Sequence, residues 1–333
     1  MRFVLHTKAL NGQDESFRLI DRLIDRAADQ IHRIELSDPD LLKDSGWYRE
    51  ARQIHRKLMT AAAATPPRKH SGLSGPHAKH VDVCNLESAL LADKLAHAPL
   101  TILVEDREAD GELLDILVEE LGSLELRTLW THSQTLTPPG VEFENSGGIS
   151  AMPERVKRAL SDAALAGRPI RFFVLCDSDA RWPGDNGPSN SSITKLRTTC
   201  SDARIPLHVL KKRSAENYIP DTVIKAVRDD PCNASNVDRF DALLRRTPVQ
   251  RDHFPFKAGL QQDERASAIA KGLYNASEVP DLERLTEPLF PKKPRPLKRL
   301  RNERRSEFTD HALRNRDGRG EIANLLDTLA REL

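Results

Sequence analysis

The sequence predicts an α/β fold: a parallel four-stranded sheet flanked by helices and set between helical N-terminal and C-terminal regions. Three observations predict it. Between residues 100 and 210 short apolar runs alternate with stretches of helical periodicity, the pattern of a parallel sheet covered on both faces. Two of those runs end directly in acids, Glu105 in one case and Asp177-Ser178-Asp179 in the other. The flanking stretches show apolar residues mainly at spacings of three and four, as amphipathic helices do.

Residues 1–98 read as mostly helical. Phe17, Leu19, Ile20, Leu23, Ile24, Ala27 and Ile31 share one helix face after the polar turn Asn11-Gly12-Gln13-Asp14, and a second helix is predicted over about 45–64. The Pro- and Gly-rich stretch 65–76 breaks the pattern and is expected to be a linker or surface loop. In the central domain, 99–220, strands are predicted over 101–104, 124–130, 170–176 and 206–210, with helices over 111–121, 153–166 and 192–203. The remaining 221–333 is expected to be helical and basic, with helices over 221–228 and 238–246, a loop or basic helix after Pro296, and an amphipathic helix over 320–333.

Composition narrows the class. Of the 333 residues 38% are hydrophobic and 30% charged, and the mean hydropathy is −0.54, so the chain is polar but able to bury a core. The apolar runs at 99–104 and 172–176 fall far short of the roughly 20 residues a membrane span needs. The opening residues have too few apolar neighbours for a signal peptide, so a cytoplasmic protein is expected. Cys84, Cys176, Cys200 and Cys232 are scattered without a C-x-x-C pair and are expected to be free thiols. The net charge of +1 conceals a separation of charge, because Lys292, Lys293, Arg295, Lys298, Arg299, Arg301, Arg304 and Arg305 are opposed locally only by Glu303.

Ligands of an open parallel sheet bind beyond the carboxyl ends of its strands. Glu105 follows the first strand, with Asp106, Glu108 and Asp110 on the turn into the next helix; Asp177 and Asp179 follow the third. If these two strands are neighbours, the carboxylates converge and repel one another, and a divalent cation would resolve the repulsion. With hard oxygen donors and no His or Cys beside them, the expected ion is Mg²⁺ or Mn²⁺.

The order strand, Glu105, helix, strand, Gly147-Gly148, helix, strand, Asp177-Ser178-Asp179, helix, strand resembles a TOPRIM domain over about residues 99–211. The segment from Lys211 to Pro220, Lys-Lys-Arg-Ser-Ala-Glu-Asn-Tyr-Ile-Pro, is similar to that of nucleases of the overcoming-lysogenization-defect type. The resemblance implies that Glu105, Asp177 and Asp179 are metal ligands, that Asp110 or Glu108 is the second acid of the first motif, and that Glu216 binds a second ion. It implies a catalytic set of Glu105, Asp177, Asp179, Glu216 and Lys257, the lysine lying near the scissile phosphate. It further implies a Mg²⁺- or Mn²⁺-dependent nuclease with two ions, DNA favoured over RNA, acting in bacterial defence against phage or plasmids.

The chain departs from that family in three places. Asp106 stands where the family has Gly, Ala109 stands where the next acid usually falls, and Asp110 comes one residue later. No G-x-x-x-x-G-K-[S/T] loop is present, so an ATPase would be a separate subunit. Competing folds with acids after their strands, phosphatases of the haloacid dehalogenase type and receiver domains, place an Asp after the first strand. The phosphatases also want Thr where this chain has Arg181.

Two ions about 4 Å apart would suit in-line phosphodiester cleavage. Lys211, Lys212, Arg213, Lys292, Lys293, Arg295, Lys298, Arg299 and Arg301 are the candidates for phosphate contacts. His70, His77, His80 and Cys84 have spacings open to zinc, but the segment is Gly- and Pro-rich and lacks a second Cys. The alternatives carried forward are an RNase with the same metal site and a catalytically silent subunit that binds nucleic acid or a partner ATPase.

Overall fold

The computed structural model describes residues 1–29, 32–64, 80–290, 295–318 and 320–333. Two parallel sheets organise the chain. The first has three strands, β1 (Arg2–Leu5), β2 (Arg33–Leu36) and β3 (His80–Val83), in the order β2-β1-β3. The second has four, β4 (Leu100–Val104), β5 (Val141–Asn145), β6 (Phe172–Cys176) and β7 (Leu207–Val209), in the order β5-β4-β6-β7.

The first sheet adds three strands to the mostly helical reading of 1–98, which held none. The helix on the Phe17 face is present as Asp14–Ala28, and the region over 45–64 is two helices, Gly46–Glu50 and Gln53–Ala64. Each strand there, however, is four residues long, and four residues show barely two cycles of a period-2 pattern. The helices Asp14–Ala28 and Leu86–His97 pack with the sheet into one core that includes Phe3, Leu5, Ile20, Trp47, Val83 and Ala92. The stretch 65–79, with His70 and His77, lies outside the described residues.

His32 is buried in this lobe, edge-on to Phe3 with ring centroids 5.4 Å apart and with Nε2 3.0 Å from the Ala96 carbonyl oxygen. Burial first, then neighbouring positive charges including Arg171, hold its pKa well below the usual histidine value. The folded state therefore resists a proton that the unfolded state accepts. The stability His32 confers is full above about pH 6.5 and falls as the pH drops below it. The urea midpoint of the wild type should fall between about pH 7.5 and about pH 5.5, and His32→Phe should show a smaller fall over the same range.

The second sheet is built from strands apolar on both faces. Leu100, Ile102 and Val104 of β4 and Phe173 and Leu175 of β6 pack on one side, against the Glu112–Leu121 helix and residues as distant as Leu333. Leu103, Phe172, Val174 and Cys176 pack on the other, against the Met152–Leu165 and Ser192–Asp202 helices. This is the period-2 alternation of a doubly covered sheet. The C-terminal region shares the first of these cores, so the change in composition near residue 220 is not a break in packing.

One predicted strand is a helix. Residues 124–127, Leu-Glu-Leu-Arg, alternate apolar and polar side chains, yet Ser123 accepts a hydrogen bond from the Leu126 N–H (3.1 Å) and starts the Leu124–Thr135 helix. Leu126, Trp130 and Ser133 are buried at helical spacing, Trp130 donates to Asp115, and Leu124 is left exposed. The N-cap and this i, i+4, i+7 face override the alternation. The place of the second strand is taken by β5.

Candidate metal centre

Because β4 lies between β5 and β6, successive connections from β4 and β5 leave in opposite directions along the sheet. The crevice between the carboxyl ends of β4 and β6 is therefore the switch point of this fold, where such folds bind ligands. Glu105 and Asp177 are the first residues beyond those two strands, and the Asp177 N–H donates to Glu105 Oε1 at 3.1 Å.

Asp110 completes the β4 side. Asp106 caps a π-helical turn, Arg107–Gly111, by accepting from the Glu108 N–H (2.9 Å). A π-turn takes up one residue more than an α-turn, which suits an acid arriving one position late. Asp110 is fully buried, and its Oδ2 accepts from the backbone N–H groups of Glu105 (2.9 Å) and Asp106 (3.1 Å). Glu108 points outward and pairs with Lys298 at 2.8 Å. Of the two candidates for the second acid, Asp110 stands with Glu105 and Asp177 and Glu108 does not.

The segment after β7 closes the site. Asp177 Oδ1 accepts from the Ala215 N–H (2.9 Å), which brings the 3₁₀ turn Ala215–Tyr218 over the crevice. Glu216 on that turn is 0% exposed, and neither of its carboxylate oxygens has a hydrogen-bond partner. Asn217 holds the turn in place: Oδ1 accepts from the Ser214 N–H and hydroxyl (2.9 and 2.8 Å), while Nδ2 donates to the carbonyls of Arg251 and Phe254 (2.7 and 2.9 Å). Those carbonyls anchor the stretch leading to Lys257, whose Nζ lies 3.0 Å from Asp177 Oδ2 and 3.4 Å from Glu216 Oε2.

Asp179 is exposed, takes a left-handed φ of 52°, and donates its N–H to the Arg213 carbonyl at 2.9 Å. Asp is one of the few residues that accept this conformation readily. Gly147 and Gly148, beyond the end of β5, have φ of 79° and 129° with open space where a Cβ would stand.

Four carboxyl groups thus gather around one ammonium, with Asp179 at the rim. Burial, then the charges of Asp177 and Asp179, push the Glu105 carboxyl up to about 8. Burial, with Glu216 and Asp179 adding to it and Lys257 opposing, raises Asp177 to about 6. Asp110 is raised well above the carboxylate range by burial and by Asp177. For Lys257 burial works to lower the pKa, but Asp177, Glu216 and Asp110 outweigh it and the ammonium is held charged. At neutral pH the site holds protons for want of positive charge, the condition a divalent cation relieves.

As the side chains stand, no group of three or more His, Cys, Asp or Glu among the described residues is arranged to hold a metal ion. The chemistry of the donors nevertheless fits Mg²⁺ or Mn²⁺. Asp110 Oδ1 and both Glu216 oxygens are buried and accept no hydrogen bond, and every candidate donor is a carboxylate oxygen.

The basic candidates separate into distinct settings. Lys211 is exposed. Lys212 is buried, its ammonium taken by Asp252, which Arg316 also approaches at 2.8 Å, so it is not available to a phosphate. Arg213 pairs with Glu264. Arg295 pairs with Asp106 (2.6 Å), Lys298 with Glu108, Arg299 with Glu303 (3.8 Å), and Arg301 with Glu112 and Glu119. The Pro296–Arg304 helix therefore docks in cis against the acidic face of the Glu112–Leu121 helix. Lys292 and Lys293 lie outside the described residues.

Sequence reasoning missed the structural duty of Asn217 and the anchoring of the 211–218 segment from the far end of the chain. Glu321 accepts from the Tyr218 hydroxyl and from the Lys211 N–H (2.7 Å). The Ser214-x-x-Asn217 spacing of a capping box was a legible sign of the former; the latter had none. Comparison of the chain with models of protein families, with curated proteins and with solved structures finds no match. All four cysteines are free thiols, and among the described residues no helix is long and apolar enough to cross a membrane.

Proposed function

We propose that the protein is a divalent-cation-dependent hydrolase of nucleic-acid phosphodiesters, a nuclease of the TOPRIM type. The observation that carries the reading is the convergence of half-buried Glu105 with buried Asp110, Asp177 and Glu216, short of positive charge, at the switch point of a parallel sheet. These four would hold Mg²⁺ or Mn²⁺, with Asp179 at the rim. The ion would supply Lewis-acid activation of water and neutralisation of charge on the phosphoryl group. Lys257, half-exposed beside Asp177, adds positive charge where negative charge develops. The turn held by Asn217 keeps Glu216 and Lys257 in register. Lys211 and the Gly147-Gly148 loop, open at its Cβ positions, suit phosphate contacts blind to sequence.

DNA is the favoured substrate. The place of such an enzyme would be bacterial defence against phage or plasmids, beside an ATPase supplied by another chain. A second reading is favoured by the Lys257 bridge between Asp177 and Glu216, which is also what a structural ion pair would make: a catalytically silent subunit that binds nucleic acid or a partner.

Incubation of the purified protein with supercoiled plasmid, linear DNA and total tRNA in Mg²⁺, Mn²⁺ or EDTA, beside Asp177→Ala, separates these. Metal-dependent cutting lost in the variant is expected, and the substrate that is cut identifies DNA or RNA. Equal behaviour of wild type and variant on every substrate, with salt-sensitive binding kept by both, would leave the silent subunit.

A further inference from the structure

We propose that Lys257 is the built-in counter-ion of the carboxylate cluster and that a divalent cation enters by displacing it, so that the lysine and the metal compete for the same oxygens. This rests on the metal-dependent reading above.

The geometry carries it. Asp177 comes from the end of β6 and Glu216 from the turn after β7, and the Lys257 ammonium spans them at 3.0 and 3.4 Å. Glu216 has no hydrogen bond, so this ammonium is the cation that balances it. Mg²⁺ or Mn²⁺ ligated by the same two side chains would sit about 2.1 Å from their oxygens. That position lies inside the place Nζ now faces, where two cations repel strongly in a poorly solvated setting.

The lysine is built to move while its backbone is not. Phe254 and Phe256, just before it in the chain, are buried, and their rings pack edge to face with centroids 5.1 Å apart. Gly259 then turns the chain at φ 74°, so close to Thr286 that a Cβ would lie 2.4 Å from its carbonyl oxygen. The Lys257 side chain, 41% exposed, has an open route to the rim on a flexible four-carbon stem. Displacement therefore carries the ammonium outward, to where a phosphate would approach. Loading of the cluster and presentation of the substrate-facing cation become one event.

The test is Mn²⁺ titration calorimetry on the full chain, comparing wild type, Lys257→Met, Lys257→Arg and Asp177→Asn, with folding followed by circular dichroism. Lys257→Met is expected to bind Mn²⁺ at least about tenfold more tightly than wild type, because the competing charge is gone. Lys257→Arg should keep wild-type affinity, and Asp177→Asn should bind much more weakly. Equal or weaker affinity in Lys257→Met than in wild type overturns the competition and leaves the metal reading standing. Absence of Mn²⁺ binding in both overturns the metal reading and the competition with it.

A measurement on the wild type alone does not depend on how the variants fold. Acylation of Lys257, followed by peptide mass spectrometry, should run severalfold faster with Mn²⁺ than in EDTA. An unchanged or slower rate would overturn the displacement.

Discussion

Glu216→Gln is expected to abolish cleavage and at the same time to stabilise the protein. A carboxylate that is fully buried, accepts no hydrogen bond and has a lysine 3.4 Å away contributes little to folding, and burying it without hydrogen bonds costs free energy. The neutral amide of the same shape should raise stability by about 1–3 kcal/mol in metal-free buffer, read as a higher urea midpoint. If Glu216 serves to bind an ion, the same change removes part of a charge-stabilising device worth several kcal/mol in the transition state. At about 1.4 kcal/mol per decade, that is a loss on the order of a thousandfold in rate. A variant that is less stable than wild type and fully active would show Glu216 to be an ordinary structural acid.

Asn217→Ala is expected to do the reverse, through the scaffold. The Asn217 side chain makes four hydrogen bonds in a fully buried setting and ties the turn carrying Glu216 to the segment carrying Lys257. Truncation leaves the Arg251 and Phe254 carbonyls without these donors and the Ser214 N–H and hydroxyl without this acceptor. With each such group costing about 1–3 kcal/mol when left unmade and some recovering other partners, a loss of about 3–5 kcal/mol follows. The urea midpoint should drop accordingly, and Mn²⁺ affinity should fall in the fraction that stays folded. An unchanged midpoint would mean that the two segments are held together without this side chain.

The contrast between these two residues, adjacent in sequence, shows how much of the site could be read from the chain. Both lie in the 211–220 segment on which the family resemblance rests. Nothing in the sequence said that one would be left without a hydrogen bond while its neighbour would make four, because that depends on what packs over the turn from residues 251–257. Glu105 and Asp177 were legible for a simpler reason. Apolar runs long enough to be buried on both faces identify central strands, and the residues just beyond such strands face the ligand crevice.

Short and ambiguous patterns failed. The four-residue strands of the N-terminal lobe have too little periodicity to be seen, and residues 124–130 open with a strand-like alternation while their N-cap and buried stripe make them helical. The basic run was visible, but its fate was not. Glu108, Glu112, Asp115 and Glu119 recur along one helix face, and Arg295, Lys298, Arg301 and Arg305 recur along another. The two series meet in cis, a pairing their matching spacings would have suggested had both been read together.

By itself, then, the sequence determined an α/β chain with a parallel sheet and acids at the carboxyl ends of its central strands, because strand burial and strand-end chemistry are local properties of the pattern. Only the tertiary structure decided which acids share the crevice, that Lys257 stands among them, and that Lys212 and much of the basic run are paired within the chain. Those outcomes depend on contacts between residues dozens to nearly two hundred positions apart, as with Lys298 and Glu108, and on the desolvation such contacts impose. Neither is written in any single stretch of sequence.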